Sequence, residues 1–363
     1  MAHNAPGAQR LSLDPMLEAL VRAEGSDLHL TVGAPPTIRV HGVLRHLPEH
    51  DPLTPAETDT LVRAAVTDEQ WSRFSLDHEL DFAYTIEGVS RFRVNLYLQR
   101  GACGAAFRAI PHHIKALDEL GVPASVARFA QLQRGLVLVT GPTGSGKTTT
   151  LAALVDLANR TRSAHIVTIE DPIEFLHGHQ RCLVNQREVG ADTRSFGTAL
   201  RHALRQDPDI ILVGELRDLE TTSTAITAAE TGHLVLATLH TASAAQTIDR
   251  IIDIFPPHQQ QQVRAQLSMA LQGVMTQALC LRADGTGRVI ITEIMTATPA
   301  IRNLIREGRS HQLQSFIQSG GNDGMLSFDQ HLAERVRDQI ITFDQALELC
   351  HSAEEFMRLT GRA

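Results

Sequence analysis

Residues 141–148, GPTGSGKT, set glycine, lysine and threonine in the spacing G-x-x-x-x-G-K-[ST]. Gly141, Gly144 and Gly146 permit a turn whose successive N–H groups face inward, and the start of a following helix adds positive potential; phosphate oxygens fit such a concavity. Lys147 supplies a compact charge for the β and γ phosphates, and Thr148 a hydroxyl for Mg²⁺. Pro142, Thr143 and Ser145 fill the variable positions, and Thr149 leads into the helix. Of 33 basic residues only Lys115 and Lys147 are lysines. A chain that otherwise uses arginine keeps a point charge where a phosphate needs one. The chemistry indicated is the binding of a nucleoside triphosphate with Mg²⁺.

Hydrolysis needs a water held in line with the γ-phosphate and acids that hold the waters of Mg²⁺. Two carboxylate clusters follow the glycine loop. TIEDPIEF carries Glu170, Asp171 and Glu174, and DPDIILVGELRD carries Glu215. Each stands at the end of an apolar run. Asp171, before Pro172, reads equally well as a helix cap. The second run ends Gly214–Glu215 rather than in aspartate. That pattern suits Mg²⁺ held partly through water, and it leaves the roles of the two glutamates exchangeable.

AETGHLVLATLHT brackets LVLATL with His233 and His240. On a strand, seven residues put the rings on opposite faces and ~23 Å apart at ~3.3 Å per residue. On a helix they would share a face about 10 Å apart along the axis. Neither geometry lets them chelate one ion. Taken alone, they read as strand-end histidines bonded to backbone.

These groups need elements to hold them. GLVLVT (135–140), HIVTIE (165–170), DIILVGE (209–215) and HLVLATLH (233–240) are near-continuous apolar runs, as expected of strands buried on both faces of a parallel sheet. Helical segments lie between them, in the rhythm of βαβ units. Ligands of such sheets sit beyond the carboxyl ends of the strands, so both acid clusters face the side of the glycine loop. Residues 1–110 read as a mixed α/β unit. LDPMLEALVRAEG is an amphipathic helix, SDLHLTVG and PTIRVHGVLRHL are short strands, and TPAETDTLVRAAV and TDEQWSRFS are helices capped by threonine. ELDFAYTIEG and SRFRVNLYLQRGACGAAFRAI alternate as antiparallel strands. Residues 111–123 (PHHIKALDELGVP) read as a linker, 124–296 as the nucleotide-binding core and 297–363 as consecutive short helices.

Whole-chain properties narrow the class. With 363 residues, 43% apolar, the chain has room for two or three domains. No apolar run reaches the ~18 residues of a membrane span. MAHNAPGAQRLSLD lacks a basic stretch followed by an apolar one, so no secretory signal is read there and a cytoplasmic location is expected. Cys103, Cys182, Cys280 and Cys350 are scattered, without zinc spacing or a disulfide framework. A net charge of −8 weighs against broad nucleic-acid binding.

GPTGSGKTT, IEDPIEF, DPDIILVGELRD and TGHLVLATLH together resemble the Walker A, Asp box, Walker B and His box of the secretion and pilus-motor ATPases. The likeness runs from about residue 12 to 350. It implies an α/β chain with a RecA-like P-loop ATPase core, an N-terminal α/β (PAS-like) domain and a helical C-terminal region. It also implies ATP and Mg²⁺, with Thr148 and Glu215 toward the metal. Glu174 and Glu215 match the family's two essential acids, and Glu215 is its usual departure from aspartate. His233 and His240 match the His-box pair, with His240 as the γ-phosphate sensor and His233 coupling the sheet to a neighbouring element. Arg93 and Arg108, and less closely Arg91, match arginines that reach the phosphates when the N-terminal domain closes. Arg217 reads as serving a neighbouring subunit or pairing with Asp218.

Within the family, AIRNLIRE in TPAIRNLIREGRSHQL resembles the branch that retracts type IV pili and drives twitching motility. Thr298 caps this helix, Pro299 takes its first turn, Ile301, Leu304 and Ile305 form its apolar face, and Arg302, Asn303 and Arg306 lie mostly off it. Extension and secretion members carry a longer N-terminal region and a four-cysteine insertion, neither of which is read here. The resemblance implies a homohexamer on the cytoplasmic side of the inner membrane. Its partners would be a pilus platform protein and a paralogous pilus ATPase, with no direct nucleic acid and no membrane insertion. The alternatives are an accessory retraction ATPase, an extension or secretion ATPase and, from another class, a nucleotide-gated scaffold without useful hydrolysis.

Overall fold

Leu28, Leu30, Ile38, Val40, Phe92, Val94 and Leu96 alternate with more exposed neighbours and are buried. Period-two burial makes one face of a sheet apolar. In the computed structural model, which describes residues 11–40, 42–110 and 114–362, these residues belong to the first of two units, Met1–His112. Its strands are β1 (Asp27–Leu30), β2 (Thr37–Val40), β3 (Val43–His46), β4 (Glu79–Ile86), β5 (Ser90–Gln99) and β6 (Ala102–Ala109). They form a six-stranded sheet in the order β3-β2-β1-β6-β5-β4, antiparallel at every pairing. Helices α1 (Leu13–Arg22), α2 (Pro55–Ala64) and α3 (Asp68–Asp77) share the core with it through Met16, Leu17, Leu20, Leu61 and Phe74. Thr54 and Thr67 cap α2 and α3, each in a reciprocal capping box with Glu57 or Gln70, as their spacing indicates.

The second unit, His113–Ala363, is built on the apolar runs. Its strands are β7 (Gly135–Thr140), β8 (His165–Glu170), β9 (Leu183–Glu188), β10 (Ile210–Val213), β11 (Leu234–Leu239), β12 (Leu271–Leu281) and β13 (Arg288–Thr296). The sheet order is β13-β12-β7-β11-β10-β8-β9. All pairings are parallel except β12 with β13. Leu136 and Leu138 join the core on one face of the sheet, Val137 and Val139 the core on the other. Helix α4 (Lys147–Thr161) packs on the second face. Helices α5 (Phe196–Ala203), α6 (Leu219–Glu230), α7 (Ala244–Asp253) and α8 (Pro257–Ala270) pack on the first. Of the expected linker, residues 111–113 lie outside the described residues, while Leu117 and Val122 are buried in this unit. Ten of the residues on which the absence of a secretory signal was read also lie outside them. No helix among the described residues is long and apolar enough to cross a membrane. The four cysteines are free, and only Cys350 is not fully buried.

After β13 come α9 (Pro299–Glu307), α10 (Leu313–Ser319), α11 (Phe328–Arg337), α12 (Phe343–Leu349) and α13 (Ala353–Leu359). Thr298 caps α9, Pro299 opens it, and Ile301, Leu304 and Ile305 are its buried face. Arg302 lies off this buried face and is half-buried against α8. Its guanidinium donates to the carbonyls of Ser268 and Met269, both at 2.7 Å, and to Gln272 Oε1 at 3.2 Å. The last carbonyls of α8 have no partner within their own helix, and Arg302 supplies one from α9.

Buried ionisable groups tie helices to the sheet and to one another. Glu293 on β13 accepts the Ala244 N–H at the start of α7 (2.7 Å). Asp329 on α11 accepts the N–H groups of His351 and Ser352 (2.8 and 3.0 Å). His331 Nδ1 accepts the Thr292 N–H (2.9 Å). Burial, reinforced by the charge of Asp329, pushes Glu293 up to about 7 from 4.5. Folding therefore takes up a proton at this carboxyl, so its contribution is fully present below about pH 4.5 and is lost as pH rises through about 7. Glu293→Gln keeps the acceptor and removes the ionisation. Its stability relative to the parent is expected to rise from about pH 5 to about pH 8, by about 3 kcal/mol at most. Denaturant unfolding at the two pH values measures this, and parallel curves would rule Glu293 out as the titrating group. His331, pushed down to about 4 by burial and the charge of Arg335, acts in the opposite sense and favours the folded state as pH rises toward 6.5.

Candidate active site

β7 ends at Thr140, and the loop 141–146 turns directly into α4. Gly141 has φ 143°, and a Cβ there would lie 2.2 Å from the Gln277 carbonyl oxygen. Only glycine lets β12 approach the loop so closely. Gln277, fully buried on β12, also donates its amide to the Ser145 carbonyl at 2.7 Å, so the loop is clamped from the neighbouring strand. Gly146, at φ 87°, is the N-cap of α4, and the first N–H groups of a helix lack intrahelical partners. Pro142, Thr143 and Gly144 form the exposed crest, and Thr148 and Thr149 are half-buried in the first turn. Lys147 Nζ donates to the carbonyls of Gly141 (2.8 Å) and Pro142 (3.0 Å). Burial lowers the affinity of this ammonium for its proton, against the charges of Glu215 and Glu174. This donor set, backbone N–H groups around one ammonium, fits the oxygens of a triphosphate.

In the parallel sheet β7, β11, β10 and β8 all end at the same edge, which brings the acids and His240 to the loop. His240 Nδ1 lies 3.3 Å from Lys147 Nζ, and its Nε2 lies 3.3 Å from Glu215 Oε2. An ammonium can only donate and a carboxylate only accept, so a neutral ring carrying its proton on Nε2 satisfies both. Glu215 also receives Arg217 Nη2 at 2.7 Å. Although burial raises it, the hydrogen bond and charge of Arg217 and the hydrogen bond from His240 outweigh that and hold the Glu215 carboxyl below its ordinary range. An ionised carboxylate beside the Thr148 turn is the donor chemistry that Mg²⁺ takes.

The structure gathers Gly141–Thr149, Glu215 and His240 at this edge, and the charge of Glu174 is felt by Lys147. Glu174 is exposed on a stretch, residues 171–182, that is neither helix nor strand. No helix follows Asp171, so it caps nothing. Asp218 caps α6 by accepting the Thr221 N–H (2.8 Å), which leaves Arg217 paired with Glu215. His233 is not brought to this edge. At the opposite end of β11, its Nδ1 meets the Ala228 carbonyl at 3.0 Å and closes the last turn of α6.

In the first unit Arg93 and Arg108 stand directly opposite one another on the β5–β6 ladder. Arg108 Nε donates to Asp27 Oδ1 at 2.8 Å, with its side chain 69% exposed, and Arg93 is exposed. Like charges directly opposite destabilise a sheet, and Asp27 offsets one of the two. Sequence reasoning did not find Gln277 or Gln186. A lone amide inside the apolar run of β12 is the one signal that could have flagged the first.

A parallel sheet with a glycine loop feeding a helix, a buried lysine, and an acid and a histidine at the strand ends is the arrangement of a RecA-like P-loop ATPase. The chain belongs to the type II/IV secretion system protein family, whose sequence model matches residues 9–347. It is 49% identical over 346 residues to the type IV pilus retractation ATPase PilT of Pseudomonas aeruginosa, covering 95% of this chain and 100% of that one. It is 47% identical over 321 residues to the twitching motility protein of Neisseria gonorrhoeae, covering 88% and 85%. The crystal structure of the pilus retraction motor PilT with bound ADP matches with a TM-score of 0.89 at 44% identity, over 97% of this chain and 100% of that one.

Proposed function

We propose that this chain is an ATP-hydrolysing motor that powers the retraction of type IV pili. The observation that carries this reading is the continuous string Lys147–His240–Glu215 at the mouth of the glycine loop, in a chain related to pilus retraction ATPases along nearly its whole length. Lys147 and the loop N–H groups grip the β and γ phosphates. Thr148 and Glu215 would hold Mg²⁺, Glu215 partly through water, and the bound ion would supply charge neutralisation at the phosphate oxygens. Glu174 orients and deprotonates the attacking water. His240, bonded at once to Lys147 and Glu215, registers the γ-phosphate. His233 couples β11 to α6. Arg93 and Arg108 are assigned to the charge that develops on the γ-phosphate, which guanidinium groups suit. The working form is a homohexamer at the cytoplasmic side of the inner membrane, acting on the pilus platform protein and alongside a paralogous pilus ATPase.

Deleting the chain from its cell is expected to leave surplus surface pili that no longer support twitching, counted by electron microscopy and by a surface motility assay. Loss of pili would instead assign it to extension. Undisturbed twitching would reduce it to an accessory motor. A purified chain that binds ATP without Mg²⁺-dependent turnover would make it a scaffold.

A further inference from the structure

Regular secondary structure does not fix the residue assigned to activate water, because Glu174 lies within the twelve residues 171–182 that form neither helix nor strand. The backbone around it is nevertheless tied down: the Glu174 N–H is held by the Glu170 carboxyl on β8, and its neighbours are held from β9. On β9, the edge strand of the sheet, Gln186 and Glu188 are two residues apart and therefore share a face. Glu188 Oε2 accepts the Ile173 N–H at 3.1 Å. Gln186 Oε1 accepts the His177 N–H at 2.8 Å, while its Nε2 donates to the Phe175 carbonyl at 2.8 Å and to Glu170 Oε1 at 3.1 Å. Glu170 is itself set by Thr168 Oγ1 at 2.6 Å, and the Glu188 N–H is held by Asp192 Oδ2 at 2.8 Å. The two β9 side chains thus hold backbone groups of residues 173, 175 and 177, on both sides of Glu174.

The base of the same loop is anchored separately. Asn159, fully buried on α4, donates to the Gly178 carbonyl at 2.7 Å and accepts the N–H groups of Gln180 and Cys182 at 3.2 and 3.3 Å. Loss of the β9 contacts therefore loosens residues 173–177, directly and through Glu170, which Gln186 also holds, and leaves the Asn159 contacts to 178–182 in place.

We propose that Gln186 and Glu188 are positioning residues for the hydrolytic step, which hold Glu174 in its working conformation by bracketing its backbone. This rests on the assignment of Glu174 as the acid that acts on water. Misplacement of a reacting group by about 1 Å costs on the order of 10²-fold in rate. Phosphate gripping by the glycine loop does not pass through β9, so catalysis and binding should separate.

The test uses the full chain with Gln186→Met, which keeps the length and removes both hydrogen-bonding ends, Glu188→Met, which removes the acceptor, and Glu188→Gln, which keeps one. Steady-state ATPase rates, affinity for a non-hydrolysable ATP analogue and thermal unfolding are measured for each, with Glu174→Gln as reference. The two methionine variants are expected to lose about 10- to 100-fold in kcat, with KM and analogue affinity within about twofold of the parent. Glu188→Gln should recover most of the rate. Parental kcat in both methionine variants, beside a Glu174→Gln that is inactive, would overturn the positioning role and leave the assignment of Glu174 standing. Parental turnover in Glu174→Gln would overturn that assignment, and the positioning role with it. Rate, affinity and unfolding temperature falling together would show that β9 merely holds the fold.

Discussion

Lys147→Ala is expected to lower ATP turnover by about three orders of magnitude or more, since transition-state charge in phosphoryl transfer is met almost wholly by positioned cations and N–H groups. Lys147 is buried against its own loop and touches His240 at 3.3 Å. Its removal takes the donor from the Gly141 and Pro142 carbonyls and from His240 Nδ1 at once. It also leaves the charges of Glu215 and Glu174, which the ammonium now offsets, to face a triphosphate unopposed. Lys147→Arg should rescue little, because a planar fork does not replace a compact ammonium between two backbone carbonyls. Phosphate release by the purified chain, with unfolding temperature as a control for folding, measures the effect. Parental turnover in Lys147→Ala would mean that the glycine loop is not the phosphate site.

Glu174→Gln should cost about 10²- to 10⁴-fold in the hydrolytic step, the usual worth of a positioned general base. Nucleotide affinity should hold or improve, since a negative charge near the phosphates is gone. Single-turnover hydrolysis alongside equilibrium binding separates the two. Glu215→Gln is expected to differ, because Glu215 accepts from both Arg217 and His240 and is assigned to Mg²⁺: its variant should weaken Mg²⁺-dependent binding as well as turnover. If Glu215→Gln abolishes hydrolysis with binding intact while Glu174→Gln is active, the roles of the two acids are exchanged.

Elements that announce themselves by local physics were readable from the chain. The four apolar runs became strands covered on both faces, and Thr54, Thr67 and Thr298 cap the helices their spacing marks. The glycine loop needed only its own spacing. The contacts between distant segments were hidden. Arg302 looks like a surface arginine at its place in the helix, yet it serves carbonyls more than thirty residues away, at Ser268 and Met269. Gln186 sits in LVNQRE, an edge strand whose mixed polarity gives no strong periodic signal. Its meaning appears only when the loop it binds is in view. Of the two readings of Arg217, service to a neighbouring subunit or a pair with Asp218, the second fails because the capping geometry of α6 claims the aspartate and leaves Glu215 to the arginine.

Strand β12 has a further consequence. Near its start Gln272 takes a hydrogen bond from Arg302 of α9, and five residues on Gln277 grips the Ser145 carbonyl. At ~3.3 Å per residue, these two attachments are roughly 17 Å apart on one strand, the first at an irregularity in its pairing with β7. The root of α9 and the glycine loop are thus fastened to the same strand, which is itself held on both sides by β7 and β13, so the two share one rigid footing.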